Sequence, residues 1–433
     1  MWYILKNKDK EVVRFSVQRS ETIMVDLTIK SAFVDGIQIL TPNLVPKSLK
    51  LDNKTEGNDD KAKENLEHWI EHRKIPKNRA FVEEIVHSLN LDDKDFLSYV
   101  DVTLALSLND TYWIVPADKN YLWKDYNLYE NSFNETLALV AFTGYSAKFK
   151  GLVTSPELTT NGMLKKCWHR NERGIIELYK GNSEEHANRG KEAYCEYYMA
   201  QIAKVLDFNH VSYDLRRFHG EMVSTCEIFT SQEYGYISIC DCIEDTSLFL
   251  KKNTAKLIAK IKEIYGVQAF EDLLLFDTLI GNTDRHLGNF GMLIDNNTNE
   301  LVKPAPIFDN GMAFFNHITK RNLKDINSFV AQQESALGFS FLEQLQLIET
   351  PRHIPKLINL HNFTFTRHEK YNLSEEWLQA GEKFIQQRSQ EIIKIIAKKQ
   401  TKSQETPLHS PTFPTPQTPQ HKELPIPSKG RNR

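Results

Sequence analysis

The sequence predicts an α+β fold built in more than one domain. Three observations carry this: a length of 433 residues, strand-like and helix-like runs interleaved along most of it, and a proline-dense end that belongs to neither. One small core does not grow to that length, so two or three domains are expected. Hydrophobic residues make up 40% of the chain, enough for packed cores, which excludes wholesale disorder. Lys plus Arg number 54 against 57 Asp plus Glu, a net charge of −3. That balance excludes a generally basic nucleic-acid-binding protein, and no direct nucleic-acid contact is expected. No apolar run approaches the ~18 residues of a membrane span. The residues after Met1 lack the apolar stretch of a secretory signal, so a cytoplasmic protein is expected. Cys167, Cys195, Cys226, Cys240 and Cys242 are few and scattered and read as reduced thiols. Cys240 and Cys242 stand too close together for a zinc knuckle, and no Cys-His cluster completes a ligand set.

In chain order, residues 1–145 mix strands (22–28 and 111–115) with a helix (79–89), and the polar stretch 51–64 reads as an exposed loop. This region carries no recognisable motif. In 146–235, Gly174-Ile-Ile-Glu-Leu-Tyr-Lys180 reads as a strand ending in a lysine. A helix follows over 192–206, with Tyr194, Tyr198, Ile202, Val205 and Leu206 at helical intervals. Glu196, Ala200 and Ala203 lie on a different stripe, which aims Glu196 away from the core toward Lys180. In 236–400, residues 270–280 are apolar nearly all round, as in a helix buried within a domain. The polar loop Gly281-Asn-Thr-Asp-Arg-His-Leu-Gly-Asn289 comes next. Residues 290–295 and 300–303 read as paired strands around the turn 296–299, ahead of Asp309-Asn-Gly311. Trp377, Phe384, Ile385, Ile392 and Ile396 mark a last helix, capped by Ser374 and favoured by Glu375 and Glu376. From 401 to 433 prolines crowd between Pro407 and Pro427. That tail forms neither helix nor core and is expected to be disordered.

Buried helix, polar loop, hairpin, then Asp-x-Gly is the order of the catalytic half of a kinase. Phosphoryl transfer needs an acceptor aimed at the attacking hydroxyl and oxygen ligands holding Mg²⁺ against the phosphates. Asp284 is placed to face the hydroxyl. Asn289 and Asp309 offer a neutral and a charged oxygen, the hard donors Mg²⁺ prefers. Gly311 is expected to let the chain turn sharply beside Asp309. Singly, each piece is an ordinary turn; the joint order and spacing carry the kinase reading. Upstream, a Lys180–Glu196 pair would aim an ammonium at the α/β-phosphates of ATP. No two glycines are separated by a single residue, and no Walker ending occurs. Thr159-Thr-Asn-Gly162-Met-Leu-Lys-Lys166 stands where a phosphate loop is needed.

Residues from about 150 to 400 resemble the HipA-like kinase family, which is distantly similar to phosphatidylinositol 3- and 4-kinases. The family's Gly-Asn-x-Asp-x-His-x-x-Asn and Pro-x-x-Asp motifs are similar to Gly281–Asn289 and to Pro306-Ile-Phe-Asp309. Its phosphate loop, Ser-x-x-Gly-x-Gln-x-Lys, is similar to the stretch from Thr159 to Lys166, with Thr for Ser and Leu164 for Gln. The resemblance implies a two-lobed protein-kinase-like fold with an additional N-terminal region (1–145), an N-lobe (146–235) and a mostly helical C-lobe (236–400). It implies catalytic Asp284, Lys180, Glu196 and His286, and Mg²⁺ on Asn289 and Asp309. ATP is then held by Thr159, Thr160, Gly162, Lys166 and Lys180, with Glu227 and Phe229 at the hinge. The implied reaction is ATP- and Mg²⁺-dependent phosphorylation of serine or threonine on a protein substrate. A small antitoxin-like regulator is an implied partner, in the bacterial cytoplasm or with the chain exported as an effector without a Sec signal. Autophosphorylation of Thr159, with Thr160 and Ser155 nearby, is also implied; the alternative is that Thr159 and Thr160 bond the backbone of a turn. The competing readings are a phosphoinositide or small-molecule kinase and a kinase-fold binding protein without turnover.

Overall fold

The computed structural model describes residues 1–24, 27–50, 59–92, 95–183, 190–349 and 351–405. Among them the chain forms three antiparallel sheets and a large helical body, a mixed α and β architecture. The first sheet has the order β3-β2-β1-β4, from β1 (Trp2–Asn7), β2 (Lys10–Met24), β3 (Leu27–Ile39) and β4 (Tyr112–Pro116). The segment 22–28, expected as one strand, is divided, because Met24 pairs with Leu27 across a hairpin. That run holds no Gly, Pro or Asn, and Asp26 alone is a weak break, so it reads as one strand.

One face of this sheet, with Tyr3, Leu5, Phe15 and Ile114, packs on Leu66, Trp69 and Ile70 of the helix Asp59–Glu71. That helix corrects the loop expected over 51–64: residues 59–64 are its first turns, while 51–58 lie outside the described residues. Its charged solvent face dominates the composition, whereas Ala62, Leu66, Trp69 and Ile70 recur at helical spacing on the buried side. The helix expected over 79–89 forms as Val82–Leu89.

The sheet's other face sets Ile4, Trp113 and Val115 against Trp123, Leu128 and Ile176. Ile176 belongs to the second sheet, with order β5-β6-β8-β7: β5 (Lys166–Arg170), β6 (Ile176–Lys180), β7 (Asp214–Phe218) and β8 (Glu221–Glu227). The N-terminal region thus leans directly on the strands that carry Lys166 and Lys180. The third sheet has the order β11-β10-β9, from β9 (Tyr234–Ser238), β10 (Gly291–Asp295) and β11 (Leu301–Pro304). The domain boundary expected at 235/236 falls within β9.

The largest core joins Tyr198 and Ile202 of the helix Glu192–Val205, Phe270 and Phe276 of Val267–Ile280, and Phe384 and Ile392 of Glu375–Glu405. The last helix runs past the expected boundary at 400, and the proline-dense tail from 406 lies outside the described residues. No described helix is long and apolar enough to cross a membrane.

Candidate active site

Lys180 ends β6, and Glu196 sits one turn into the Glu192–Val205 helix, on the stripe facing that strand. The Lys180 ammonium donates to Glu196 Oε1 at 2.9 Å and to Asp309 Oδ1 at 2.6 Å. Glu196 is fully buried, and its Oε2 accepts the N–H of Asn310 at 2.7 Å, so one carboxylate fixes both the lysine and the Asp309 turn. Burial works against the charge on Lys180, but the two carboxylates override it and hold the ammonium above its ordinary range. Burial likewise opposes ionisation of Asp309, and Lys180 reverses this and holds that carboxyl below the ordinary carboxylate range. Glu196 is pushed up by burial against the pull of Lys180.

The turn beside Asp309 differs from the sequence expectation. Asp309 itself takes the left-handed backbone (φ 56°), and its N–H donates to the Tyr213 hydroxyl at 3.2 Å. Asp tolerates this region better than most side chains. Gly311 is not left-handed; it is small because a Cβ there would press to 3.3 Å from Glu192 Cβ. The glycine allows the helix carrying Glu196 to approach the backbone of the 309–311 turn.

The Asp284 loop is built around a buried cation. Arg285 donates through Nε to both Asp277 oxygens (3.3 and 3.1 Å), through Nη1 to the carbonyls of Asn289 (3.1 Å) and Phe308, and through Nη2 to Asn310 Oδ1 (2.8 Å). The buried helix end, the loop 284–289 and the turn 308–310 are thereby tied to one guanidinium. Asn289 Nδ2 donates to the Asp284 carbonyl at 2.9 Å, which leaves Oδ1 as its available oxygen. No described residue donates a hydrogen bond to the half-buried Asp284 carboxylate. Burial pushes that carboxyl up and the charge of Asp309 adds to the shift, against the pull of His286. His286 is exposed and bends the loop by accepting the Gly288 N–H at 3.0 Å. The oxygens presented by Asn289 and by the ionised Asp309 are hard donors that suit Mg²⁺.

The stretch 159–166 lies between the second sheet and the N-terminal region. Thr159 is buried, and its hydroxyl donates to the Leu106 carbonyl at 2.8 Å. The Thr160 hydroxyl donates to the Pro156 carbonyl at 2.6 Å and accepts Trp168 Nε1 at 2.9 Å; Ser155 is buried against Glu157. Thr160 therefore bonds the backbone of its own turn, whereas Thr159 reaches the N-terminal region and Ser155 a neighbouring carboxylate. Gly162 is left-handed (φ 93°), and a Cβ there would stand 2.5 Å from Lys166 Nζ. Lys166 is buried and donates to the Asn161 carbonyl at 2.6 Å. Lys165 turns away to Glu221.

Where a hinge is expected, Phe229 joins Tyr236 (5.7 Å between ring centroids) and Phe308 (5.4 Å) in an aromatic wall next to Asp309. The Glu227 side chain is exposed at the end of β8. Sequence reasoning missed Tyr213, Tyr236, Phe308 and the role of Arg285. Phe308 and Arg285 adjoin quoted motif residues, and that adjacency was the signal; Tyr213 and Tyr236 had none.

No protein-family model matches the sequence. The serine/threonine-protein kinase CtkA of Helicobacter pylori is a curated relative, 25% identical over 167 residues, which cover 36% of this chain and 51% of the relative. The chain thus spans about half the length of that relative. A solved structure of the proinflammatory kinase CtkA from Helicobacter pylori gives a TM-score of 0.44 at 18% identity, covering 57% of this chain and 94% of that one. The HipA of Shewanella oneidensis MR-1, solved with HipB and operator DNA, gives 0.47 at 12% identity, covering 92% and 98%. The resemblance read from the motifs is borne out: the chain is similar to HipA-like serine/threonine kinases.

Proposed function

We propose that this chain is an ATP- and Mg²⁺-dependent kinase that transfers the γ-phosphate of ATP to serine or threonine of a protein, with 146–235 and 236–400 as its two lobes. One observation carries the reading: Lys180, Glu196 and Asp309 join in a single hydrogen-bonded cluster across 129 residues of chain. The Asp284 loop is locked to the same turn by Arg285. A lysine with no role beyond its strand has no reason to sit, nearly buried, between two carboxylates, one of them at a left-handed turn.

In this reading the aromatic wall of Phe229, Tyr236 and Phe308 takes the adenine, and Lys180 orients the α/β-phosphates. Held by Asn289 Oδ1 and Asp309, Mg²⁺ would neutralise phosphate charge as it moves onto the leaving oxygen. Asp284, with its free carboxylate, orients the substrate hydroxyl and accepts its proton. Lys180 keeps Asp309 ionised, and Asn289 is held by the Asp284 carbonyl. His286 contributes by shaping the loop. Autophosphorylation at Thr159 requires that hydroxyl first to leave the Leu106 carbonyl. A small antitoxin-like regulator, and action in the bacterial cytoplasm, are proposed on the resemblance alone.

The test is a labelling partition. Purified protein is incubated with Mg-[γ-³²P]ATP, bacterial extract and phosphatidylinositol vesicles together. Label on protein serine or threonine supports the reading; label confined to lipid overturns the choice of acceptor.

A further inference from the structure

Resting on the kinase reading, we propose that Arg79, in the N-terminal region, is a positioning residue that sets the phosphate loop for nucleotide. Arg79 is 2% exposed and lies outside every motif described above. Its Nη1 donates to the carbonyls of Thr160 and Gly162, both at 3.3 Å, and its Nη2 to that of Lys166 at 3.0 Å. The next residue, Ala80, donates its N–H to the Met163 carbonyl at 2.9 Å. Lys166 Nζ takes the Asn161 carbonyl, and the Gly181 N–H takes that of Lys165. Every carbonyl of the loop from 160 to 163 is therefore bound, three of the four by the Arg79-Ala80 pair.

This arrangement has a consequence for the amides. In a trans peptide the carbonyl and the following N–H point in opposite directions, and no described peptide is cis. Drawing the carbonyls of 160–163 toward Arg79, Ala80 and Lys166 turns the N–H groups of Asn161, Gly162, Met163 and Leu164 the other way. Among the described residues none accepts a hydrogen bond from those four N–H groups. Consecutive unpaired amides of this kind form an anion-binding concavity. The N-terminal region, which carries no motif of its own, thereby supplies the back support of the loop. Arg fits the task better than Lys because its planar fork reaches several carbonyls at once.

The experiment uses the full chain as wild type, Arg79→Met and Arg79→Lys. Calorimetry gives the affinity for Mg-AMP-PNP and for adenosine, and amide exchange reports how far each slows the peptide spanning 160–166. The expected result is an Arg79→Met protein at least ~10-fold weaker for Mg-AMP-PNP, with adenosine within about twofold. Nucleotide-induced protection of 160–166 should be lost with it. Arg79→Lys should fall between, and it carries the comparison if Arg79→Met does not fold. Wild-type affinity and loop protection in the variants, or equal weakening for both ligands, overturns the assignment of Arg79 and leaves the kinase reading standing. A wild-type protein that binds no Mg-AMP-PNP overturns both.

Discussion

At Asp309 the backbone is left-handed, the carboxylate is held ionised by Lys180, and the adjoining Asn310 N–H is fixed by Glu196. Asn adopts that backbone as readily as Asp, so Asp309→Asn removes the charge and spares the turn. Phosphoryl transfer by this variant should fall by at least ~10²-fold, the scale of a lost electrostatic stabiliser. Its circular dichroism should match wild type, and near-wild-type turnover would remove Asp309 from the metal set. Asp284 gives a pH test. Its carboxyl is raised, so it holds its proton to higher pH than an ordinary carboxylate near ~3.9, and the base form grows as pH climbs through that raised value. A kcat/KM profile should rise along an acid limb lying above the ordinary carboxylate range and then level; a limb at or below that range contradicts the role. That Asp284, Asn289 and Asp309 belong to one cluster was legible because they stand at fixed spacing within short loops, which Arg285 ties together. Arg79 was not, since its acceptors stand up to 87 residues away.

Among elements, the Glu192–Val205 helix and the buried Val267–Ile280 helix were legible from periodicity, because each packs one consistent face or is buried all round. The pairing of β2 with β3 was not, since a lone Asp with no Gly, Pro or Asn beside it is a weak break in a strand-like run. The stretch 159–166, proposed as the phosphate loop, stood out as a motif, but the backbone conformation that shapes it did not. Gly162 is left-handed and faces Lys166 Nζ. Gly162→Ala should destabilise the protein by ~1–2 kcal/mol, the penalty for an L-residue in that region, and displace the Lys166 ammonium. Urea denaturation reads the first effect and Mg-AMP-PNP affinity the second; an unchanged protein on both counts would mean the loop accepts other backbones.

For the whole molecule, the N-terminal region is docked along the loop, hinge and hairpin together. Leu108 accepts the Thr230 hydroxyl at 2.5 Å and Asn109 the Tyr236 N–H at 2.7 Å. Asn7 donates to the Asn296 carbonyl at 2.6 Å, while its Oδ1 accepts the Thr111 hydroxyl, both in buried surroundings. None of this was legible, because the partners are backbone atoms up to 289 residues distant. Asn7→Ala strands two buried groups and should lower stability by about 1–3 kcal/mol, read as a shifted urea midpoint. An unchanged midpoint would mean the region is tethered and not docked. The claim that joins these scales is that the assembled site moves phosphate. Purified wild type and Asp284→Ala, each with Mg-[γ-³²P]ATP and bacterial extract, test it most directly. The account predicts label on protein serine or threonine with wild type and at least ~10²-fold less with Asp284→Ala; equal labelling by the two proteins, or none by either, would contradict it.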